Sequence, residues 1–206
     1  NYEKQRQRMT LDQFKAIHAL SPEWLKIAME LCLVTLQGRA EVIRMQFSDY
    51  DDDAKAIDVV RQKVKKHEHA FLRIESPHLA AIVSRARRSG IASPYIVHRA
   101  PERKNKAKDR SHWSQLTANH FTEQFRKYRD ETGLFDDMPR ESRPTFHEIR
   151  SLGSWLYKKQ GFDNESYVQP LMAHASEQMT EHYQKGHEQE WVHVRADLDI
   201  SQVLPK

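Results

Sequence analysis

Apolar residues recur at two different periods along this chain, and the change between them marks out its parts. Leu11, Phe14, Ile17 and His18 follow Thr10 at helical spacing, which predicts a first helix capped by Thr10 with Asp12 in its first turn. Ser21-Pro22-Glu23 predicts a second start: a capping serine, a proline at the first helical position and an acid near the positive end of the dipole. The residues that follow, Trp24, Leu25, Ile27, Ala28, Leu31, Cys32 and Val34, are apolar nearly all round, so this helix should lie deep in the core. It should end near Leu36-Gln37-Gly38. From Met45 to Ile74 the period shortens. Phe47, then Ile57-Val59-Val60, then Phe71-Leu72-Ile74 fall in alternating stretches between polar turns, which predicts a small antiparallel sheet of about three strands.

Helical spacing returns from Pro77 to Arg88, with Leu79, Ile82 and Val83 on one face, and Pro94 to Val97 reads as a short strand. Arg99 to Ser114 has no apolar period and reads as a loop. Thr117 to Glu131 is helical again through Phe121, Phe125 and Tyr128. Thr145 and Glu148 have the spacing of a capping box, opening a helix whose core face is Leu152, Trp155 and Leu156. Shorter helices are expected around Ser166 to Met172 and Ser176 to Tyr183, then a strand from Trp191 to Val194. The fold class is therefore α+β, mainly α-helical, as one domain over residues 1–206.

Composition narrows the setting. The chain of 206 residues is 30% charged with a mean hydropathy of -0.83, and no apolar run approaches the length of a membrane span. Asn1 to Arg8 is polar throughout, with no basic-then-apolar leader, and the late Met9 reads as a fragment of a longer protein. Cys32 is the single cysteine, so no internal disulfide forms, and a reducing cytoplasm is the simplest compartment. A net charge of +4 permits a polyanionic partner without requiring one. Basic residues gather at Lys63, Lys65 and Lys66, at Arg85, Arg87 and Arg88, and from Arg99 through Arg103 and Lys104 to Arg110. Acids gather at Asp49, Asp51, Asp52 and Asp53. A solvated surface explains any one of these runs as well as a binding function does.

The last third holds the groups with chemistry. His147 and Arg150 are three residues apart in the first turns of a helix, so they share a face. An arginine fork can bind two phosphate oxygens, and a histidine beside it can bond the same phosphate or move a proton. His174 falls in a tight connection, and Tyr183 follows nine positions later. A tyrosine is a competent nucleophile only where cations favour its phenolate. Taken singly, each of the four has a plainer explanation as a wet-face or amphipathic residue. The 12 histidines do not assemble a metal motif: pairs such as His67/His69 and His182/His187 lack accompanying cysteines or a helical pair with glutamate. Neither metal nor cofactor is expected.

In order and spacing, the string from Arg143 to Tyr183 resembles the catalytic C-terminal segment of the tyrosine recombinases, in particular the lambda-type phage integrases. That family has an H-x-x-R box, an L-G-H box about two dozen residues on, and a nucleophilic tyrosine nine residues beyond; here Met172-Ala173-His174 stands for L-G-H. Upstream, Pro22 to Leu31 resembles the helix before the family's first arginine box, Ser48-Asp49 the strand start after it, and Gln62-Lys63-Val64 the β-hairpin lysine motif. The likeness thus covers nearly the whole chain and matches the catalytic domain without the N-terminal DNA-binding domains.

The resemblance implies site-specific DNA strand exchange through a 3′-phosphotyrosine, with a phage or mobile element integrated at double-stranded attachment sites. It implies a homo-oligomer, a tetramer on DNA, in the cytoplasm of a bacterial host and associated with its nucleoid. Tyr183 would be the nucleophile, with Arg150 and a second arginine stabilising the transition state. His147 would transfer a proton, His174 would bond the phosphate, and Lys63 would be the acid for the leaving 5′-oxygen, with Lys65 or Lys66 as alternatives. Lys65, Lys66, Arg99, Arg103 and Lys104 would contact DNA phosphates, and residues 184–206 would pack on a neighbouring protomer. One departure stands out: ungapped alignment puts Gly38 where the first catalytic arginine belongs, with Arg39 one residue later. Either a one-residue slip brings Arg39 into the site or the site lacks an arginine. The alternatives to a recombinase are therefore a DNA-binding relative with impaired cleavage and a type IB topoisomerase-like enzyme.

Overall fold

Thr10 opens the first helix, α1 (Leu11–Leu20), through a reciprocal cap. Its hydroxyl accepts from the Gln13 N–H at 3.2 Å, while the Gln13 side chain accepts from the Thr10 N–H at 3.0 Å. A computed structural model of the chain describes residues 7–61, 71–101, 111–172 and 192–204. The second helix, α2 (Glu23–Thr35), begins without the expected serine cap, because the Ser21 hydroxyl donates to the Ile17 carbonyl at 2.7 Å and so closes α1 instead. Every residue of α2 from Ile27 to Thr35 is buried, as its uniform apolarity requires. Leu36 then takes a left-handed conformation (φ 55°) that turns the chain through Gln37 and Gly38 into α3 (Arg39–Val42).

The sheet has three antiparallel strands, β1 (Tyr50–Asp51), β2 (Ala56–Val60) and β3 (Phe71–Glu75), of which β2 and β3 fall where expected. A fourth, β4 (Val192–Arg195), joins β3 in parallel, giving the order β1-β2-β3-β4. Two details differ from expectation. Phe47 lies in a 3-10 turn (Phe47–Asp49) rather than a strand, and Pro94 to Val97 makes only a single bridge, Tyr95 to Gln46. The two segments cross irregularly, the Phe47 N–H donating to the Pro94 carbonyl and the Ile96 N–H to that of Met45, so alternation in burial arises without a ladder.

Helices α4 (Leu79–Arg87), α5 (Ala118–Glu131) and α6 (His147–Lys159) follow, then a π turn (Asn164–Val168) continuous with the short α7 (Gln169–Met172). The capping box at Thr145 and Glu148 does not form. Phe146 occupies the cap position without a side-chain bond, and the Glu148 carboxylate pairs with Arg8 at 3.1 Å. Aromatic packing fixes this helix start instead, with Phe146 edge-on to Phe121 at 4.7 Å and to Phe125 at 5.5 Å. Trp155 is 51% exposed under Lys159 rather than in the core, where Tyr157 takes its place and donates to the Val34 carbonyl at 2.6 Å. The helix expected over Ser176 to Tyr183 lies outside the described residues. No helix among the described residues is long and apolar enough to cross a membrane.

Candidate active site

The first helical residue of α6 is His147, which is exposed, while Arg150 one turn on is buried. Arg150 Nη2 donates to the carbonyl oxygen of Met172 at 2.8 Å, at the end of α7. That bond ties the H-x-x-R turn to the backbone two residues before His174. Arg61, just past β2, donates Nη1 to the same oxygen. Gln37 Nε2 reaches the neighbouring Leu171 carbonyl at 2.7 Å and the Thr35 carbonyl at 2.8 Å. Side chains from the α2–α3 corner, β2 and α6 thus converge on the C-terminal end of α7, where unpaired carbonyls attract donors and cations.

Local sequence accounts for each position. Ile57 and Val59 point inward from β2, and Arg61 continues the same two-residue phase, which carries a guanidinium into the core side of the sheet. Arg150 sits on the α6 face that also buries Ile149 and Gly153 against α2. The approach to α6 is braced from α5: Arg129 donates to the Pro144 carbonyl at 3.0 Å, and Arg143 pairs with Asp130 at 3.0 Å. Sequence reasoning missed Arg61 and Gln37. The signal for Arg61 was present, an arginine in register with the buried positions of a strand.

Burial pulls the Arg150 guanidinium below its ordinary value, and the neighbouring positive charge of Arg61 pulls it the same way, against Cys32 and Glu41. Arg61 is lowered by burial and raised again by Glu41, a buried residue of α3. Both arginines stay charged at any working pH, since an arginine starts far above it. The Nε atoms of Arg61 and Arg150 have no hydrogen-bond partner among the described residues. Cys32, sealed beneath, has its thiol pushed up by burial, so it is not a nucleophile here.

Of the other residues singled out from the sequence, Arg39 and Arg99 are among the described ones. Arg39 donates Nη1 to the Ala118 carbonyl at 3.2 Å and to the Thr122 hydroxyl, so its guanidinium is held on the first turn of α5. Arg99 is half-buried. The basic run on α4 is largely matched by acids: Arg85 pairs with Glu23 and Glu30, and Arg87 pairs with Asp52, a member of the acidic run. Lys63, Lys65, Lys66, Arg103, Lys104, His174 and Tyr183 lie outside the described residues.

The family model described as the phage integrase family matches residues 7–190, nearly the whole chain. The chain belongs to the phage integrase family. The integrase of Escherichia phage HK022 is 30% identical over 201 residues, covering 95% of this chain and 51% of that protein. The prophage integrase IntE of Escherichia coli is 34% identical over 193 residues, covering 90% of this chain and 48% of that protein. The solved lambda integrase tetramer bound to a Holliday junction superposes with a TM-score of 0.67 at 25% identity, covering 90% of this chain and 51% of that one. The chain spans about half the length of the curated relatives it matches. In this family member the H-x-x-R turn is joined to the end of α7 by the bond from Arg150 to the Met172 carbonyl.

Proposed function

We propose that this integrase chain cleaves and rejoins DNA at specific sites through a covalent 3′-phosphotyrosine, for integration of a phage or mobile element. The observation that carries the reading is the bond from Arg150 to the Met172 carbonyl. It draws the buried arginine of the H-x-x-R turn to the segment leading to His174 and Tyr183. In the proposed reaction the Tyr183 oxygen bonds to phosphorus as the bond from phosphorus to the 5′-oxygen breaks. His147 takes the phenolic proton, and a hairpin lysine, Lys63 or else Lys65 or Lys66, protonates the 5′-oxygen. Arg150 and His174 bond the non-bridging oxygens, where charge grows in the transition state. Bond energy is kept in the phosphotyrosine, so the free 5′-hydroxyl of the partner duplex reverses the step without ATP.

The basic residues Lys65, Lys66, Arg99, Arg103 and Lys104 contact DNA phosphates in this reading, so binding weakens steeply with added salt. The likeness to a lambda integrase tetramer on a Holliday junction supports assembly as a tetramer on DNA, and the same reading sets the protein at the nucleoid in the bacterial cytoplasm. A duplex core site nicked in the scissile strand tests the proposal, because loss of the short product traps the covalent intermediate. Wild-type protein should give a slowly migrating protein–DNA adduct, and Tyr183→Phe should give none. Tight binding with no adduct from the wild-type chain would instead make it a DNA-binding relative.

A further inference from the structure

Two buried guanidinium groups meet at one carbonyl oxygen, and a single helix end does not require both. Arg61 is 9% exposed and Arg150 7%, yet both donate to Met172, while Gln37 already serves the adjacent Leu171 carbonyl. Bringing two like charges together out of water is unfavourable, and the charge on Arg61 bears on Arg150. Glu41 is the acidic group among the described residues that acts on both, so it offsets one of the two positive charges. Among the described residues the two guanidinium groups outnumber that one carboxylate, and the Nε–H of each arginine is buried and unpartnered. A singly charged anion with several acceptor oxygens fits this surplus. A phosphodiester has that charge and those acceptors.

We propose, resting on the recombinase reading above, that Arg61 is the second phosphate-binding arginine of this active site, and that it stands in for the arginine missing at Gly38. Arg39 does not fill the place, since its guanidinium is held by the Ala118 carbonyl and the Thr122 hydroxyl on α5. Arg61 comes from a different element, the exit of β2, but arrives at the same carbonyl as Arg150. It forms and breaks no covalent bond. It donates to a non-bridging oxygen of the scissile phosphate and offsets the charge that builds there as Tyr183 attacks.

The corner at Gly38 supplies the control. Its backbone (φ -78°, ψ 174°) suits any residue, and a Cβ there would lie 3.1 Å from Glu41 Oε2, the tip of a flexible side chain. An arginine introduced at this corner would start beside the carboxylate that Arg61 and Arg150 both sense.

The test is the rate of adduct formation on the nicked core site, with thermal melting of each variant measured in parallel. Arg61→Ala should slow adduct formation roughly 100-fold or more, the usual loss for one transition-state donor. Arg39→Ala should stay within about threefold of wild type, and Gly38→Arg added to Arg61→Ala should recover at least about tenfold. If Arg61→Ala melts below the assay temperature, Arg61→Lys decides, because it keeps the charge and loses the fork; it should be slower by about tenfold. Wild-type rates from whichever Arg61 variant is folded would overturn the inference, with the recombinase reading intact. A loss that follows the melting temperature and is not recovered by Gly38→Arg would reduce Arg61 to a cap of α7, again overturning it. Absence of any Tyr183-dependent adduct from the wild-type chain would overturn both.

Discussion

At Gly153 the helix α6 lies close against the end of α2. A Cβ there would stand 2.7 Å from Leu36 Cδ2 and 2.8 Å from the Leu33 carbonyl oxygen, and the carbonyl belongs to backbone that cannot turn aside. Gly153→Ala should therefore destabilise the chain by about 1–3 kcal/mol through overpacking. Urea unfolding measures it, and an unchanged midpoint would show that α2 and α6 yield without cost. The same crossing sets how far Arg150, one turn earlier, reaches toward Met172. At this scale the sequence was informative unevenly. The helix that carries His147 and Arg150 was legible from its apolar spacing, but that His147 would be exposed and Arg150 buried was not. Gly153 showed only as a poor helix former inside a helix. Arg61 was overlooked because an arginine at a strand end ordinarily reaches solvent, and only its phase with Ile57 and Val59 marked it as inward. Gln37 carried no signal, since its partner at Leu171 lies far along the chain.

Helices α1, α2 and α4 are joined by one carboxylate. Glu30, in the buried middle of α2, accepts from His18 of α1 at 2.8 Å and from Arg85 of α4 at 2.7 Å. Burial alone would raise its pKa, but the bonds from His18 and Arg85 outweigh it and hold the carboxyl below its ordinary 4.5. A lowered carboxyl stabilises the fold fully above the unfolded value and loses that contribution as pH falls through the folded one. Unfolding free energy should accordingly drop as the solution is acidified below pH 4.5, and Glu30→Gln should flatten the profile in that window. Glu30→Ala, which leaves Arg85 with Glu23 alone and takes the carboxylate from the part-buried His18, should cost about 3 kcal/mol at neutral pH. A variant as stable as wild type would contradict the network. Periodicity predicted α1, α2, α4, α5 and α6 because each buries one face or its whole girth, a property local to the element. It misplaced what neighbours decide: the Ser21 hydroxyl went to α1, Glu148 went to Arg8, and Trp155 stayed outside while Tyr157 took the core.

Across the whole molecule, residues far apart in sequence build one sheet and one site. The strand expected near Trp191 to Val194 is β4, but its parallel partnership with β3 was not legible, since a strand's sequence does not name its neighbour. Within residues 192–204, Ala196, Leu198 and Val203 are buried, and Asp199 exchanges hydrogen bonds with Gln160 just past α6. Opposite charges are matched over the same range, Arg73 with Asp51 and Asp58, and Arg87 with Asp52. Among the described residues the arginine pair at Met172 has no such ion pair, and both guanidinium groups donate to the last described residue before the stretch of sequence that holds Tyr183. Attack by Tyr183 on a phosphodiester held by that pair is the central claim, and the chemistry of the trapped adduct tests it most directly. Proteolysis of the adduct followed by mass spectrometry should find the nucleotide on the peptide containing Tyr183, joined through its 3′-phosphate, with a free 5′-hydroxyl on the released strand. A nucleotide on any other residue, or a linkage through the 5′-phosphate, would contradict it.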